Sequence, residues 1–366
     1  MRPPVGETRM LRVPLEHPSI QAAIDAAQDG DTVEVGAGVW TGPGNRALDL
    51  RGRDIIVRSA AGAESTMIDC QEGSERAGPG FLVHSGESRH AAIEGFTIRD
   101  AGSGSAGSDA AIICDGASPS IRDCRFLENP GGCLKLNEST SAISGCVLEN
   151  PSGRTVTIES SRVSFDRCVI RGHRWLWVSA VDCVESYVTF LDCELSGNVS
   201  EAPLDVALGG AVSVRRGHAA FQGCLLARNG ASKGGGGIYA SSSSIELTGC
   251  TVAENRVDGH GSGGLYLDGA SSAVIAKSIL TANCALGTRD LGGSAEATAS
   301  LTDCAVDSSG IRGLHRGFDG ALITGDPGLC RLSGCETAEP SDYRLRNGSA
   351  CAEAGIGAFG IGCEVR

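Results

Sequence analysis

The stretch IELTGCTVAEN, residues 245–255, decides the fold because close copies of it recur along the chain. In each copy a short strand of alternating apolar and polar residues leads to a cysteine, and an asparagine follows five residues later in most copies. Repetition of this kind predicts a stack of similar structural units. The other copies are IRDCRFLEN (121–129), ISGCVLEN (143–150), VSFDRCVIRGH (163–173), VTFLDCELSGN (188–198), AAFQGCLLARN (219–229), AVIAKSILTAN (273–283), SLTDCAVDSS (300–309) and the divergent AAIEGFTIRD (91–100).

The cysteine position of the repeat, here called the thiol slot, recurs at spacings of 22, 22, 25, 31, 26, 28 and 26 residues. The shortest spacing is about the length of one coil with three short strands, so the longer ones indicate loop insertions. Alternation in Ile245-Glu246-Leu247 points apolar side chains inward and polar ones outward. We therefore predict an all-β right-handed parallel β-helix of about ten three-strand coils. The slot residues are Cys124, Cys146, Cys168, Cys193, Cys224, Cys250, Ser278 and Cys304.

An asparagine row and a glycine-led third strand complete the predicted coil. Asparagine tolerates left-handed backbone geometry, and its amide can bond to the coils above and below. After it comes a third strand such as Gly237-Ile238-Tyr239. Each inner coil pairs with its neighbours, so only the two ends of the stack need protection. The row comprises residues 129, 150, 198, 229, 255 and 283.

Composition agrees with this architecture and excludes some partners. The chain has 53 glycines, 41% hydrophobic and only 4% aromatic residues, which suits short strands and tight turns. Its 31 basic and 44 acidic residues give a net charge of −13, which argues against nucleic acid as a partner. The same charge opposes polyanionic sugars unless a basic patch or a divalent cation offsets it. No run approaches the ~18 apolar residues of a spanning helix, which argues against membrane insertion, and residues 1–10 hold no signal peptide.

The N-terminal segment predicts a capping helix. Ser19 can cap a helix with Ile20, Ala23, Ile24 and Ala27 on one face, and Gly30 lies just beyond it. The segment SIQAAIDAAQDGDTVEVGAGVW (19–40) resembles the start of pectin-lyase-like β-helix proteins, and the asparagine row resembles their asparagine ladder. That superfamily includes lyases, hydrolases, epimerases, adhesins and stalks, so the resemblance implies the fold and not one activity. We expect one domain over 1–366, with an N-terminal cap (11–40), coils (41–325) and a C-terminal cap (326–366).

Two interpretations of the thiol-slot cysteines are open, a row of disulfides or a row of free core thiols. Stacked parallel strands rarely offer disulfide geometry, and a buried cysteine packs well as a small apolar residue, which favours free thiols. Cys114, Cys133 and Cys183 are expected to behave likewise. The sequence has no CxxC pair, which argues against a structural zinc site.

The cysteines of the glycine-rich tail suggest a different role. We expect Cys330–Cys335 and Cys351–Cys363 to form two local disulfides that close the last edge, while Cys284 has no assignment. Tails of this kind resemble those of exported bacterial β-helix proteins. They favour an oxidising, extracellular or cell-surface location for a mature form without its signal.

Long insertions follow the asparagine row at 199–210, 230–236, 256–263 and 284–294, and should stack into one wall. Beside it, alternation along the third strands predicts an outward row that includes Lys135, Trp177, Tyr239 and Tyr266, with Trp175 nearby. Flat aromatic faces suit pyranose rings, which predicts a glycan-binding surface. The alternative is that these outward aromatics fit the strands and are covered by the long loops.

Titratable groups near the wall supply further candidates. His173 and Arg174 are predicted substrate-binding residues. As catalytic candidates we name Lys233, Arg256, Asp258 and His260, since a β-elimination needs a base such as lysine or arginine. No dense carboxylate cluster supports calcium, so no cofactor or metal ligand is assigned. Gly259-His260-Gly261 echoes a short polygalacturonase motif, but glycines precede third strands throughout, so a turn is the favoured interpretation.

The sequence thus predicts an exported protein that binds a polysaccharide or cell-surface glycan, with or without cleavage by a lyase or hydrolase reaction. The alternative is a non-catalytic structural or adhesive module with a generic outer surface. The sequence does not specify the oligomeric state.

Overall fold

A computed structural model describes residues 8–70, 78–102, 110–150, 153–202, 208–286, 288–306, 308–335, 340–357 and 361–363. The chain folds as a right-handed parallel β-helix of about eleven turns with almost no helix, which confirms the predicted fold.

Each coil has a first strand before the thiol slot and a second strand after it. First strands are Met10–Val13, Thr32–Val35, Ile56–Ser59, Ala92–Glu94, Ser120–Arg122, Ala142–Ser144, Arg162–Asp166, Tyr187–Leu191, His218–Gln222, Ser244–Thr248, Ser272–Ala276, Thr298–Val306 (which continues through the slot) and His315–Ile323. Second strands are Gly38–Trp40, Thr66–Asp69, Thr97–Arg99, Arg125–Leu127, Val147–Glu149, Val169–Arg171, Glu194–Ser196, Leu225–Ala227, Thr251–Ala253 and Ile279–Thr281.

Third strands and the strands of the insertions complete the coils. Third strands are Phe81–Val83, Ile112–Asp115, Leu134–Asn137, Val156–Glu159, Val181–Val184, Val212–Arg215, Ile238–Ser241, Leu265–Asp268, Leu291–Gly293 and Ile311–Arg312. Insertion strands are Arg174–Leu176, Val199–Glu201, Gly230–Ala231, Gly234–Gly235, Arg256–Val257, Gly261–Ser262 and Cys284–Ala285. The tail holds strands Leu329–Arg331, Asp342–Arg346 and Ile361–Cys363, and the helical segments are Ile20–Ala26 (α1), Ala350–Glu353 (α2) and the 3-10 turn Ser308–Gly310.

The chain divides into two compact units, Met1–Ser164 and Phe165–Arg366. In unit 1, α1 follows the strand Met10–Val13, and no insertion strand is found among the described residues. Unit 2 contains all the insertion strands and the C-terminal tail. A single domain over the whole chain stays a prediction.

Alternation along the first strands places the core inside the coil, as predicted. His218–Gln222 pairs residue for residue with Ser244–Thr248 in parallel register. Every second residue of such strands is buried, which gives successive coils the same inward side chain. In unit 2 this stacks the rings of Phe165, Phe190 and Phe221, with centroids 5.0 and 4.7 Å apart. The residues that the repeat alignment places in the same position are therefore the residues that stack on one another in the core.

The slot cysteines are buried free thiols that bond to the backbone as well as fill space. Cys168 donates its backbone N–H to Cys193 Sγ at 3.4 Å, and that thiol donates to Leu191 O at 3.3 Å. Ser278 makes the same bonds through its hydroxyl, which accepts the backbone N–H of Cys250 at 3.0 Å. In these coils the slot side chain therefore both accepts and donates a hydrogen bond. Free buried thiols are found at Cys124, Cys146, Cys168, Cys193, Cys224, Cys250 and Cys304.

The thiols of Cys114, Cys133 and Cys183, which lie on or beside third strands, are also free and buried, as expected. Burial raises the pKa of Cys114 to about 12, so this thiol stays protonated near neutral pH. Burial raises the pKa of Cys133 and Cys183 in the same direction. Since the thiolate is the reactive form, these cysteines are inert packing residues.

The asparagine row forms a buried ladder. In unit 1, Asn129 donates its backbone N–H to Asn150 Oδ1 at 2.9 Å. In unit 2 the same bond, at 3.0 to 3.1 Å, joins Asn198, Asn229, Asn255 and Asn283 in order. A second ladder of hydroxyls, which the sequence analysis missed, lies at the turn into the first strand. There Ser139 N–H donates to Ser161 Oγ at 3.0 Å, and Ser243 N–H donates to Ser271 Oγ at 3.2 Å.

The ladder asparagines do not adopt the left-handed backbone conformation, although the sequence analysis expected it of them. Positive φ falls one residue earlier, at Glu128 (52°), Arg228 (56°) and Glu254 (55°). In two coils that position is a glycine, Gly172 or Gly197. The asparagine is therefore required for its amide hydrogen bonds, and the preceding residue makes the turn.

The N-terminal helix is shorter than its apolar pattern. Ser19 caps it as predicted, accepting the N–H of Ala22 at 3.3 Å. The helix ends at Ala26, and Ala27 is extended, so Gly30 (φ 87°) makes the following turn and does not cap the helix. Ile20 and Ile24 are fully buried and fix the helix to the first coil.

The predicted tail disulfides are wrong. Cys335 is bonded to Cys284, the cysteine left without an assignment, and Cys351 is a buried free thiol. Cys330 is also disulfide-bonded, and the side chain of Cys363 lies outside the described part of the structure. Nearest neighbours in sequence do not pair because the tail packs against residues far from it in sequence, which brings Cys335 to Cys284. The tail runs back along the outer side of earlier coils.

Contacts with a buried carboxylate show this path. The Glu254 side chain accepts hydrogen bonds from Tyr343 Oη and Ser341 Oγ, both at 2.7 Å, and from Arg228 Nε at 3.0 Å. Apolar residues of coil and tail share one cluster, namely Ile279, Ala305, Leu329, Leu345, Cys351 and Ile356.

Candidate functional site

The long insertions of unit 2 stack into a wall, as predicted. Its outgoing strands form a five-stranded parallel sheet, here called the wall sheet, in which Val199 pairs with Gly230 and Gly230 pairs with Arg256. Shorter pairings join the returning segments, such as Gly234 with Gly261. Residues 203–207 of the first insertion lie outside the described residues.

Glycines before the third strands allow the returning chain to lie against the wall sheet. A Cβ at Gly236 would meet Arg256 O at 2.5 Å, and one at Gly263 would meet Asn255 O at 2.6 Å. The same crowding explains Gly261, whose φ is 149° and whose Cβ would lie 1.9 Å from Gly234 O. The Gly259-His260-Gly261 stretch is therefore a turn and pairing feature.

Each wall strand begins directly after a ladder residue, and two of its residues project outward from the wall sheet. The residues one and three places after the ladder residue face outward, while the residue between them faces inward. Val199, Ser200 and Glu201 are half-buried, buried and exposed, respectively. The outward pairs in successive strands are Arg174 and Leu176, Val199 and Glu201, Gly230 and Ser232, and Arg256 and Asp258.

A pocket of about 270 Å³, here called the groove, lies on this outward face. Gly230 forms part of its floor because it has no side chain between Val199 and Arg256. The groove volume lies just below the ~300–1,000 Å³ typical of small-molecule sites. The groove is lined by Leu176, Val199, Ser200, Glu201, Ala202, Gly230, Ala231, Ser232, Arg256 and Asp258.

The charged groups of the groove are matched in pairs. Arg256 Nε lies 2.9 Å from Asp258 Oδ1. Across the strand pair, Arg174 Nη1 lies 3.9 Å from Glu201 Oε1. All four side chains are substantially exposed, so their remaining donors and acceptors are accessible to a ligand. The groove thus presents donors and acceptors together, beside the apolar side chains of Leu176 and Val199.

Ser200 is a polar residue beneath the groove. It is fully buried, and its Oγ has no hydrogen-bond partner in the described part of the chain. It pairs with Trp175 on one side and Ala231 on the other, so it belongs to the inward face of the wall sheet. Orphaned buried hydroxyls are uncommon in packed regions.

The structure corrects the predicted aromatic row. Trp177 is not in a third strand, because Asp182 pairs with Ser213 at that position. Trp177 instead follows the first wall strand, is 53% exposed and has a φ of 76°. A bulky residue rarely adopts this backbone conformation. Trp175 is half-buried in the wall strand itself.

Tyr239 and Tyr266 do stack in the third-strand column, with centroids 6.3 Å apart and rings within 5° of parallel. Tyr239 is buried under the returning segment, since a Cβ at Gly234 would lie 2.8 Å from its ring. Burial and the hydrogen bond to Asp268 raise the pKa of Tyr239 to about 12. The covered-aromatic interpretation therefore holds for Tyr239, and Tyr266 is partly exposed.

His173 does not reach the surface, contrary to its assignment as a substrate-binding residue. It is fully buried, donates its backbone N–H to Asn198 Oδ1 at 3.2 Å, and its Nε2 lies 3.0 Å from Val178 O. It occupies the ladder position of its coil. At the other end of the ladder, Asp290 Oδ1 accepts the amide of Asn283 at 2.8 Å.

The remaining candidates are divided between the two units. Lys233 and His260 are exposed on the returning segments of the wall and do not line the groove. Lys135 belongs to unit 1, where it pairs with Thr157 and Ile113. Of the named candidates, only Arg256 and Asp258 line the groove, with Arg174 joined to it through Glu201.

Glu201, Gly230 and Leu176 were missed by the sequence analysis. The aligned repeats contained a usable signal, since these residues stand one or three places after a ladder residue. The same alignment ends one copy on His173 where others end on asparagine. Alternation counted from the ladder residue predicts both the outward positions of the wall strands and the buried ladder position of His173.

Among the described residues, no group of three or more His, Cys, Asp or Glu side chains could hold a metal ion. No described helix is long and apolar enough to span a membrane.

Comparisons with known proteins agree on the fold. The family model for the right-handed β-helix region matches residues 110–280. The structure is similar to that of pectate lyase Pel9A, with 14% identity over 98% of each chain and a TM-score of 0.58. Also found were a polygalacturonase from Erwinia carotovora ssp. carotovora (11% identity, 87% of this chain and 98% of that one, TM-score 0.42) and a GH87 α-1,3-glucanase catalytic domain with bound tetrasaccharides (12%, 91% and 70%, TM-score 0.41). No curated protein matches the chain in sequence.

The chain therefore has the pectin-lyase-like right-handed β-helix fold. At such low identity the likeness concerns the fold, and function has to be argued from the groove.

Proposed function

We propose that this chain is an exported β-helix protein that binds an extracellular or cell-surface polysaccharide in the groove of unit 2. The observation that supports this most directly is the composition of the groove. It combines apolar side chains (Leu176, Val199) with exposed, ion-paired side chains (Glu201, Arg256, Asp258) in one concave surface.

Sugar rings have the complementary chemistry. The C–H groups of a pyranose form an apolar face, while its hydroxyls donate and accept hydrogen bonds. Leu176, 46% exposed, offers apolar surface to the ring face. Carboxylate oxygens accept from hydroxyls, and the free N–H groups of an ion-paired guanidinium donate to them. Trp177, exposed one residue beyond the wall strand, adds an aromatic platform for a neighbouring sugar unit.

Binding is proposed here, rather than a particular reaction. Asp258 and Arg256, both catalytic candidates, are ion-paired to each other. Lys233 and His260 lie outside the groove lining. Export is supported by the disulfide between Cys284 and Cys335, because such bonds persist in oxidising compartments.

The test is a binding panel of soluble polysaccharides, measured by affinity electrophoresis and calorimetry. Gly230→Val should abolish binding by filling the floor. A Cβ at this position would meet Val199 Cγ1 at 3.5 Å, which is ordinary van der Waals contact, and Gly230 does not have the left-handed φ that would strain a side chain. Ala220→Val is the matched control, since residue 220 lies on a first strand between Thr189 and Glu246, away from the groove.

Trp177→Ala should weaken binding without changing the melting temperature. Unsaturated-product absorbance and reducing ends are followed in the same samples. Turnover that is lost in Asp258→Ala would extend the proposal to cleavage. If the wild-type protein binds no member of a broad panel, the proposal is wrong and the structural or adhesive module becomes the better account.

A further inference from the structure

We infer that the polysaccharide bound in the groove is uncharged, a neutral glycan and not a polyuronate. This inference rests on the proposed function, because it concerns the ligand class of the same groove.

Charge matching in the groove is the first argument. Arg256 is offset by Asp258 at 2.9 Å, and Arg174 by Glu201 at 3.9 Å. The lining itself contains two carboxylates and one guanidinium, so it has no excess of positive charge. A polyuronate brings one carboxylate per sugar unit, and each would lie near Glu201 or Asp258 without a free cation to pair with it. Like charges in a partly desolvated site disfavour binding.

The surroundings do not supply the missing positive charge. The whole chain has a net charge of −13, which repels a polyanion at long range. Lys233 and His260 are exposed on the returning segments, outside the lining. A bridging cation would need converging carboxylates, and among the described residues no group of three or more His, Cys, Asp or Glu side chains could hold one.

The same groups suit an uncharged sugar. A carboxylate paired on one side by arginine keeps lone pairs for two adjacent hydroxyls, and guanidinium N–H groups that are not used by the ion pair donate to hydroxyl or ring oxygens. An ion pair of this kind provides acceptors and donors at zero net charge. Val199 and Leu176 then cover the apolar ring face. The two outward pairs Val199–Glu201 and Arg256–Asp258 present this combination on both sides of Gly230.

The decisive comparison uses one polymer in two charge states: polygalacturonate and its carboxyl-reduced form, a neutral galactan of the same linkage. Neutral glucans, mannans and xylans, and the polyuronate alginate, complete the panel. Each is tested with and without calcium, in about 0.1 M and about 1 M salt, where the Debye length falls from ~10 Å to ~3 Å. Gly230→Val identifies binding that uses the groove, with Ala220→Val as the control.

The expected result is groove-dependent binding of at least one neutral polymer, at least about tenfold tighter than any polyuronate and unchanged by salt. Asp258→Asn removes the charged partner of Arg256. It should weaken the binding of neutral polymers and strengthen the binding of polyuronates, so that the ratio of the two affinities falls by about tenfold. If Asp258→Asn fails to fold, Glu201→Gln tests the second ion pair.

Two other outcomes are distinguishable. Groove-dependent binding of polyuronates in preference to every neutral polymer would overturn this inference and leave the proposed function standing. Absence of binding to every polymer, charged or neutral, would overturn the proposed function and the inference with it.

Discussion

Replacing Asn229 by leucine tests what holds the coils of unit 2 in register. Asn229 is 1% exposed and lies in the middle of the ladder. Its Oδ1 accepts the backbone N–H of Asn198 at 3.1 Å, and its Nδ2 donates to Leu195 O at 2.9 Å. Leucine has a similar volume but can make neither bond, so the change removes hydrogen bonding with little change in packing.

The expected cost follows from the groups that lose a partner. Asn198 N–H and Leu195 C=O are both buried and both lose the amide of residue 229. The Asn198 side chain keeps its bond to Ile170 O at 2.9 Å, and Asn255 Oδ1 keeps the backbone N–H of Asn229, so these groups add little. At about 1–3 kcal/mol for each buried group left unsatisfied, the free energy of unfolding should fall by about 2–6 kcal/mol.

Urea unfolding followed by circular dichroism measures this difference, and hydrogen exchange of the Asn198 amide reports the local effect. The control is Asn137→Leu, because the Asn137 amide bonds to Asp115 at the surface and should contribute less than about 0.5 kcal/mol. A cost below about 1 kcal/mol for Asn229→Leu, or unchanged exchange at Asn198, would refute the claim that ladder amides hold the turns.

Three further predictions concern side chains of unit 2. Cys193→Ser should cost less than Cys193→Val, since only serine can accept the N–H of Cys168; equal unfolding midpoints would contradict a hydrogen-bonding role for the slot. Burial raises the pKa of Glu254, but the hydrogen bonds that its carboxylate accepts, the one from Tyr343 foremost, lower the pKa by more, so the pKa lies below its usual value. The charged carboxylate therefore stabilises tail docking at pH values above the unfolded-state pKa of about 4.3. That contribution should be lost as pH falls through the lowered pKa, seen as proteolysis of the tail in acid, whereas Glu254→Gln should be cleaved even at neutral pH; a wild-type tail resistant at every pH would contradict this. Cys335→Ser opens a bond between residues 51 apart and should lower the free energy of unfolding by up to about 4 kcal/mol, measured by thermal melting; an unchanged melting temperature would show that the tail is held without it.

The coil could be predicted because its periodicity is local. One strand, one slot and one ladder residue recur within a single turn, and parallel stacking repeats that turn in register. The thiol row and the inward phenylalanines, such as Phe190 and Phe221, follow from this alone. The glycines before third strands were also visible, although their reason, direct backbone packing against the wall, was not.

The groove was only partly predictable because insertions differ in length from coil to coil. Arg256 and Asp258 were recognised as chemically suitable, while Glu201 and Gly230 became relevant only through the register of the wall sheet. Trp177 was placed in the wrong strand because the alternation was counted from the third strand and not from the ladder residue.

What the sequence by itself determined is therefore the repeating coil, since every feature of it lies within about one turn of the residue that encodes it. Tertiary structure alone decided the features that join distant turns. The tail packs against earlier coils, which brings Cys335 to Cys284 and Tyr343 to Glu254. No local sequence pattern encodes such contacts, because the two residues of each pair are far apart in sequence and meet only when the folded tail packs against the coils.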